Sequence, residues 1–178
     1  RVLETITESA KRQGWGRSFA FITDRRFPVN LIAETGFTPE ECRITSEISK
    51  RELWVDRFGE KFEDYRIGDF YYIPWLDERA RTLMGFSAEG EDTAPAAEGW
   101  HPNDFIYAPL KASNGDILGV VVLDSPESER KPGKMELEPL SILLRVAGEV
   151  IERIIYEKDI RIRTEIVQAI GDSAVAEG

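Results

Sequence analysis

The sequence has very few of the residues that build redox, metal or nucleophilic sites. Its 178 residues include a single cysteine, Cys42, and a single histidine, His101. One cysteine excludes an internal disulfide, and the two residues together provide no clustered set of zinc ligands. A Ser-His-Asp or Cys-His catalytic site would have to use His101, and no motif for a nucleophile or an orienting acid accompanies it. The composition therefore favours a binding function over an enzyme.

Long apolar runs and an excess of positive charge are also absent. No apolar run approaches the roughly 20 residues that span a bilayer. The formal net charge of −10 disfavours binding to nucleic-acid phosphates and to anionic lipids. No glycine-rich phosphate loop is present, because Gly14 and Gly16 precede a predicted strand and Gly115 lies in a predicted hairpin. We therefore expect no nucleic-acid partner, no membrane partner and a reducing, cytoplasmic location.

The clearest positive signal is a β-hairpin after Trp100. Residues 105–112 and 116–124 are apolar and β-prone, and the Asn114-Gly115 pair between them is typical of a two-residue turn. That turn sets Ser113 opposite Asp116 and predicts two different faces. One face is small and aliphatic, which suits a helix layer: Ile106, Ala108, Leu110, Ala112, Ile117, Gly119, Val121 and Leu123. The other mixes aromatic rings with a carboxylate, which suits a lined cavity: Phe105, Tyr107, Pro109, Leu118, Val120, Val122 and Asp124.

Periodicity and turn residues predict the other elements. They indicate a helix over residues 2–13, strands over 17–24, 29–35 and 69–74, and helical turns over 38–58. The strand over 69–74 has no clean alternation, which predicts cover on both faces. Residues 86–99 are short of hydrophobic anchors, so this segment is either a lid over a binding site or a tolerated insertion.

A long helix is predicted from Lys134 onward. Its apolar pattern continues past the charged stretch 157–159 and ends at Gly171. Ile155 and Ile162 lie one heptad apart, although Lys158 interrupts a coiled-coil repeat between them. A face of this kind predicts a contact between two copies of the chain.

The order of elements and four short motifs resemble the GAF family of sensory domains. In GAF domains of bacterial and archaeal signalling proteins, an aromatic-Ile-Pro strand precedes a Trp-x-Pro-x-Asp segment, a Pro-Leu strand and a Gly-Val-rich strand ending in Asp and Pro. Here these are Tyr72-Ile73-Pro74, the WHPND segment 100–104, Pro109-Leu110 and residues 119–126. The sequence departs from the family at residues 128–130, Ser-Glu-Arg, where relatives often have Asp-Gly.

The resemblance implies an α+β, PAS-related fold. It predicts a central antiparallel sheet of about six strands, with N- and C-terminal helices on one face and a ligand pocket under loops on the other. Residues 1–157 would form the sensor domain, and residues 158–178 a helical extension toward an output domain. The implied function is small-molecule sensing in a signal-transduction protein, relayed through the C-terminal helix. The alternative is a ligand-free dimerisation module, and in both cases the partner would include a second copy bound through the N- and C-terminal helices.

Candidate ligand-binding residues are the aromatic, polar and apolar side chains expected around that pocket. They are Tyr71, Ile73, Trp75, Trp100, His101, Asp104, Phe105, Tyr107 and Asp124. Core packing is the default explanation for the aromatic ones, and either aspartate could instead cap a turn or pair with Arg17 or Lys111. The cofactor is unknown, although some GAF sensors hold haem, which His101 or Cys42 would ligate. The cysteines of the sulfoxide reductase branch, a suitably placed bilin cysteine and the cyclic-nucleotide signature of the family are missing.

Overall fold

The computed structural model describes residues 1–23, 32–48, 54, 56–86 and 99–176. A 3-10 helix over Glu60–Tyr65 accompanies the strands and α-helices, which in chain order are α1 (Val2–Arg12), β1 (Trp15–Ile22), β2 (Ile32–Thr35), α2 (Pro39–Ile48), β3 (Arg66–Ile67), β4 (Phe70–Ile73), α3 (Glu78–Met84), β5 (Phe105–Lys111), β6 (Ile117–Pro126) and α4 (Lys134–Ala176). The strands form one sheet in the order β2-β1-β6-β5-β4-β3, and every neighbouring pair is antiparallel. The predicted α+β sheet of about six strands is confirmed.

Helices α1 and α4 cover one face of the sheet. Helix α1 buries Leu3, Ile6 and Ala10 at helical spacing. The first half of α4 buries one side of the helix, which consists of Leu137, Leu140, Leu144, Ala147, Ile151 and Ile155. They pack against the small aliphatic side chains of β5 and β6, as the predicted helix layer requires. Each fully buried Leu or Ile contributes roughly 1.5–3 kcal/mol relative to exposure, so this layer stabilises the fold.

The opposite face of the sheet carries a second, aromatic core. Its buried members include rings from β1, β4, β5 and the connections between strands: Phe19, Phe21, Trp54, Phe62, Tyr71 and Tyr107. All four residues of β4 are buried, with Phe70 and Tyr72 in the helix-side core and Tyr71 and Ile73 in the aromatic core. The predicted cover on both faces of this strand is confirmed.

The β5–β6 turn differs from the prediction. Ala112 N–H donates to the carbonyl of Asp116 at 2.8 Å, and Gly115 N–H donates to the carbonyl of Ala112 at 3.0 Å. The loop therefore has three residues, of which Gly115 takes a positive φ of 92°, as in a type I turn closed by a left-handed residue. The predicted two-residue turn, with Ser113 opposite Asp116, is wrong.

A β-bulge next to this turn restores the predicted register farther along the hairpin. Lys111 pairs with Ile117 while Leu110 pairs with Gly119, so Leu118 is the extra residue. From there outward the pairs are those that the two-residue turn predicts, but Leu118 packs in the helix-side core and not on the aromatic face. Its predicted face is therefore wrong, because the bulge turns this one side chain over.

Helix α4 is longer than predicted, since it passes through Gly171 and continues to Ala176. Up to Ile170 its last buried residue is Ile155, and from Tyr156 to Ile170 the side chains are exposed apart from the half-buried Asp159. The predicted helix end at Gly171 is wrong because one glycine costs a helix only about 1 kcal/mol. None of the helices in the described ranges is both long and apolar enough to cross a membrane.

Candidate functional site

A cavity of about 560 Å³ lies on the aromatic face of the sheet. It is bordered by β1 and β6 from below, by α2 and the end of α3 at the sides, and by the segment that leads into β5. Six aromatic rings line it: Phe19, Phe37, Trp54, Trp75, Phe86 and Phe105. Such an apolar concavity with a few polar groups is the usual form of a small-molecule site.

Another groove, of about 470 Å³, lies between the β3–β4 hairpin and the first turns of α4. Charged side chains dominate its border, among them Arg66, Lys134, Glu138 and Arg145. These side chains are exposed, and water screens exposed charges strongly. The aromatic cavity is therefore the better candidate for a site that encloses a small molecule.

Arg17 is the central charged residue of the cavity. It lies on β1 directly opposite Asp124 on β6, and its guanidinium donates to the Asp124 carboxylate and, at 3.2 Å, to Oε1 of Glu41. Its charge also lies 5.7 Å from the centre of the Phe37 ring. Burial raises the pKa of Asp124, and Arg17 opposes that rise. The antiparallel register thus places one cation between two carboxylates at the cavity wall.

Glu41 reaches Arg17 because a capping box fixes the start of α2. Its Oε2 accepts from the backbone N–H of Thr38 at 2.7 Å and from the Thr38 hydroxyl at 2.8 Å. The Thr38 backbone hydrogen bond is the main reason why the pKa of Glu41 is lowered. The carboxylate is therefore held in its charged form at the edge of the cavity.

Asp104 organises the wall between β4 and β5. Its buried carboxylate accepts from the Tyr72 hydroxyl at 2.6 Å, from the backbone N–H of Trp75 at 2.7 Å and from the backbone N–H of His101 at 2.9 Å. Burial and this hydrogen bond raise the pKa of Tyr72. Asp104 borders the cavity. Because three donors already bind its carboxylate, its main role there is structural.

Arg57 closes the cavity from the connection before the 3-10 helix. Its Nη2 donates to the carbonyl of Met84 at 2.9 Å, its guanidinium lies 4.7 Å from the centre of the Trp54 ring, and its own carbonyl accepts from the Tyr107 hydroxyl at 2.7 Å. Burial lowers the pKa of Arg57. These contacts anchor an irregular connection to the aromatic core.

Solved structures provide the comparison for this fold and cavity. The crystal structure of the GAF domain of the cyanobacteriochrome TePixJ matches with a TM-score of 0.52 over 86% of this chain and 89% of that chain, at 14% sequence identity. Residues 122 to 287 of a methyl-accepting chemotaxis protein match with a TM-score of 0.51 over 88% of this chain and 90% of that chain, at 16% identity. The chain has a GAF-like fold. The sequence matches no protein-family model and no curated protein.

The GAF-like fold brings some of the predicted site residues to the cavity and places others beneath it. Trp75, Asp104, Phe105 and Asp124 line the cavity. The remaining three on this face belong to the buried aromatic core, where Tyr71 and Tyr107 stack with ring centres 5.1 Å apart beside Ile73. Ligand contact by the four lining residues stays a prediction.

Trp100 lies on the other side of the sheet. Its ring packs against Trp15 at 5.9 Å and Tyr72 at 5.7 Å in the helix-side core. Trp75 and Trp100 both flank strand ends in the sequence, yet only Trp75 borders the cavity. Trp100 therefore supports the helix layer of the GAF-like domain.

The two predicted haem ligands lie in different elements. His101 is buried in the turn before β5, where its Nδ1 accepts from the backbone N–H of Asn103 at 3.1 Å. Cys42 is half-buried on α2, and a hydrogen bond with the Glu34 side chain is the main cause of its raised pKa. Neither side chain is among the described residues that line the cavity, so haem ligation there gains no support from the geometry.

The predicted lid or insertion over residues 86–99 falls largely on 87–98, which lie outside the described residues. Its first residue, Phe86, borders the cavity and contacts the rings of Trp75 at 5.8 Å and Phe105 at 6.0 Å. The described part of the chain that contains α3 therefore ends at the cavity edge.

Sequence reasoning missed Arg57, Trp54 and Met84, which lie in connections and at the end of a short helix. A usable signal existed for Trp54 alone, because a large apolar residue within an otherwise polar stretch is typically buried. Arg17 appeared in the prediction only as a possible partner for Asp124. The structure places it among the cavity residues.

Proposed function

We propose that this chain is a small-molecule-sensing regulatory domain of a signal-transduction protein. The aromatic cavity with Arg17 held between two carboxylates is the observation that carries the proposal. Its volume suits a small organic ligand. The ligand state would be relayed by α4, whose second half leaves the domain.

The cavity favours a flat, largely apolar ligand with hydrogen-bond acceptors. Arg17 Nε and the indole Nε1 of Trp75 are buried and have no hydrogen-bond partner within the described ranges, and both residues line the cavity. A buried donor without an acceptor costs about 1–3 kcal/mol. A ligand carbonyl or ring nitrogen placed against these donors would recover that energy, while the surrounding rings stack on its apolar body.

The β5–β6 hairpin supports a route from the cavity to α4. At one end, Phe105 and Asp124 line the cavity. At the other end, the backbone N–H and hydroxyl of Ser113 donate to the Glu152 carboxylate on α4, at 3.0 and 2.9 Å. A ligand that binds one position of the hairpin more tightly than another would therefore shift the equilibrium between the corresponding positions of α4. The difference between the two binding free energies sets the size of that shift.

The proposal includes partners beyond the ligand. Exposed apolar side chains on α4 support a homodimer, and the helix that continues beyond the domain supports a covalently linked output domain. We expect the domain to act in the cytoplasm without nucleic acid, membrane or turnover of its ligand. The ligand-free dimerisation module is the second candidate, since packed rings such as Tyr71 and Tyr107 already fill the region below the cavity.

Native mass spectrometry of the full chain, purified from its own host, tests the proposal together with an absorption spectrum. We expect a defined extra mass on the parent protein and on Trp100→Phe, and loss of that mass in Trp75→Leu. The two tryptophans flank strand ends on opposite sides of the sheet, so Trp100→Phe is the matched control. No bound mass, combined with no thermal shift in a small-molecule screen, would favour the dimerisation module, and a visible absorption band would revive the haem hypothesis.

A further inference from the structure

Arg57 is a cation of the cavity wall that has no acidic partner within the described ranges. It is half-buried and lines the cavity. Its Nη2 donates to the neutral carbonyl of Met84 at 2.9 Å, and its guanidinium lies against the ring of Trp54. Burial lowers its pKa, and no carboxylate is among the groups that oppose this effect. An anion would therefore stabilise this partly desolvated charge.

The carboxylates that line the cavity are already bound by other donors. Glu41 and Asp124 share the guanidinium of Arg17, and each accepts from a further donor close to it in the chain. Asp104 accepts from three donors. None of these carboxylates pairs with Arg57 within the described ranges.

The unpartnered groups buried at the cavity are donors. Within the described ranges these are Arg17 Nε and the indole Nε1 of Trp75, and Arg57 adds an unpaired cation. A cationic ligand would rest well on the aromatic rings, but it would meet carboxylates that are already bound and would approach Arg57. The polar groups of the cavity therefore favour an anion, and one unpaired cation matches a single negative charge.

Two of these donors border the same part of the cavity. Arg57 binds the carbonyl of Met84, and the ring of Trp75 lies 5.8 Å from that of Phe86. Residues 84–86 all line the cavity, so both donors lie beside one short stretch of its border. The volume of about 560 Å³ has room for a bicyclic compound.

We propose that the ligand of the aromatic cavity is a flat, conjugated carboxylic acid whose carboxylate binds Arg57. This names the ligand class of the sensor proposed above and rests on that function. The guanidinium fork suits the planar carboxylate, and the ring system lies against the aromatic side chains of the cavity. An acceptor elsewhere on the ligand binds the indole N–H of Trp75.

Matched sets of three ligands test the sign of the ligand charge. Each set has one ring system, naphthalene, quinoline or indole, which carries a carboxylate, a carboxamide or an aminomethyl group. Isothermal titration calorimetry measures the dissociation constants with the full chain near neutral pH. We expect carboxylates to bind roughly tenfold to hundredfold more tightly than their carboxamides, because a charge-assisted hydrogen bond is stronger than a neutral one. The aminomethyl compounds should bind most weakly.

Arg57→Gln tests whether this preference comes from Arg57. Glutamine keeps a donor for the carbonyl of Met84 but removes the charge. The ratio of carboxylate to carboxamide affinity should therefore fall to about one, while the carboxamide affinity stays within about twofold. Because the ratio compares two ligands on the same variant, a purely structural role of Arg57 would not change it.

Arg81→Gln is the matched control. Arg81 is also half-buried and lies 5.7 Å from the centre of the Trp75 ring, but it is not among the described residues that line the cavity. We expect the affinity ratio to be unchanged in this variant. An equal fall in both variants would show a general effect of charge and contradict the contact with Arg57.

The outcomes separate this proposal from the sensor function. Equal affinity for carboxylates and carboxamides, or tighter binding of the aminomethyl compounds, would overturn the carboxylic acid and leave a sensor of another ligand. A carboxylate preference that persists in Arg57→Gln would also overturn it. If no member of any set binds at millimolar concentration, the result counts against both the carboxylic acid and the sensor.

Discussion

The Asp104→Asn substitution tests whether the cavity wall depends on one carboxylate. Asp104 Oδ2 accepts from Tyr72 and His101, and Oδ1 accepts from Trp75. An asparagine amide would therefore turn its nitrogen toward Trp75, where two donors then meet. Losing one hydrogen bond to a buried charge costs about 1.5–3 kcal/mol, and the two remaining bonds become weaker neutral ones. Since removing the buried charge offsets part of this, we expect a destabilisation of about 2–4 kcal/mol.

Urea unfolding followed by tryptophan fluorescence measures this free energy. Tyr72→Phe is the control, because it removes one donor and leaves Asp104 with two; we expect it to cost about 1–2 kcal/mol. The double variant should cost less than the sum of the single ones, since both changes affect the same network. If the free energy of unfolding of Asp104→Asn lies within about 0.5 kcal/mol of the parent value, the carboxylate does not organise the wall and is available to a ligand.

Two further substitutions test the helix contacts. In Gly148→Ala, the new Cβ would lie 2.0 Å from the carbonyl oxygen of Lys111, so urea unfolding should reveal a net loss of about 1–3 kcal/mol despite better helix propensity. Gly133→Ala, where the nearest atom is 3.6 Å away, should be nearly neutral, and a more stable Gly148→Ala would contradict the predicted clash. Glu41→Gln should flatten the acid side of the stability curve. The lowered pKa of Glu41 stabilises the fold above its ordinary pKa, and this is lost as pH falls through the lowered value. Unfolding measured between about pH 3 and pH 7 checks this, and an unchanged curve would mean that the bond from Thr38 contributes nothing.

The fold was predictable where a periodic pattern was long. The β5–β6 hairpin, α1 and the start of α4 follow from alternation or helical spacing, and each is confirmed. Strand β3 has only two residues and α3 only seven, so neither is long enough to show a period. Their positions depend on packing against the sheet, and a local sequence pattern does not predict such packing.

The hairpin turn illustrates how one dipeptide allows two geometries. Asn114-Gly115 suits a two-residue turn in which both residues take positive φ, but only Gly115 does so here. Asn114 instead uses its side-chain oxygen to accept from the backbone N–H of Asp116 at 3.0 Å. That local bond favours the three-residue loop, and the bulge at Leu118 then absorbs the additional residue. The sequence alone does not show which of the two turn geometries is more stable.

Strand alternation predicted part of the candidate site. It placed Phe105 and Asp124 on the cavity face because both lie within paired strands. Alternation does not apply to Trp75 and Trp100, since both lie outside the strands and their directions depend on the hydrogen bonds of Asp104 and on packing with Trp15. Trp75 lines the cavity as predicted, whereas Trp100 does not. Residues on connections have no fixed period, so their faces follow from tertiary contacts.

The position of Glu152 supports the proposed route from the cavity to α4. Ser113 holds Glu152 through two hydrogen bonds, one turn before Tyr156, where the exposed part of the helix begins. Because α4 is continuous from Lys134 to Ala176, a small rotation of the helix at Glu152 turns every later residue of the helix by the same angle. In the proposed sensor, a ligand that moves the cavity end of the hairpin would change the position of α4 through this contact, and Ser113→Ala should weaken that coupling without altering ligand affinity in the cavity.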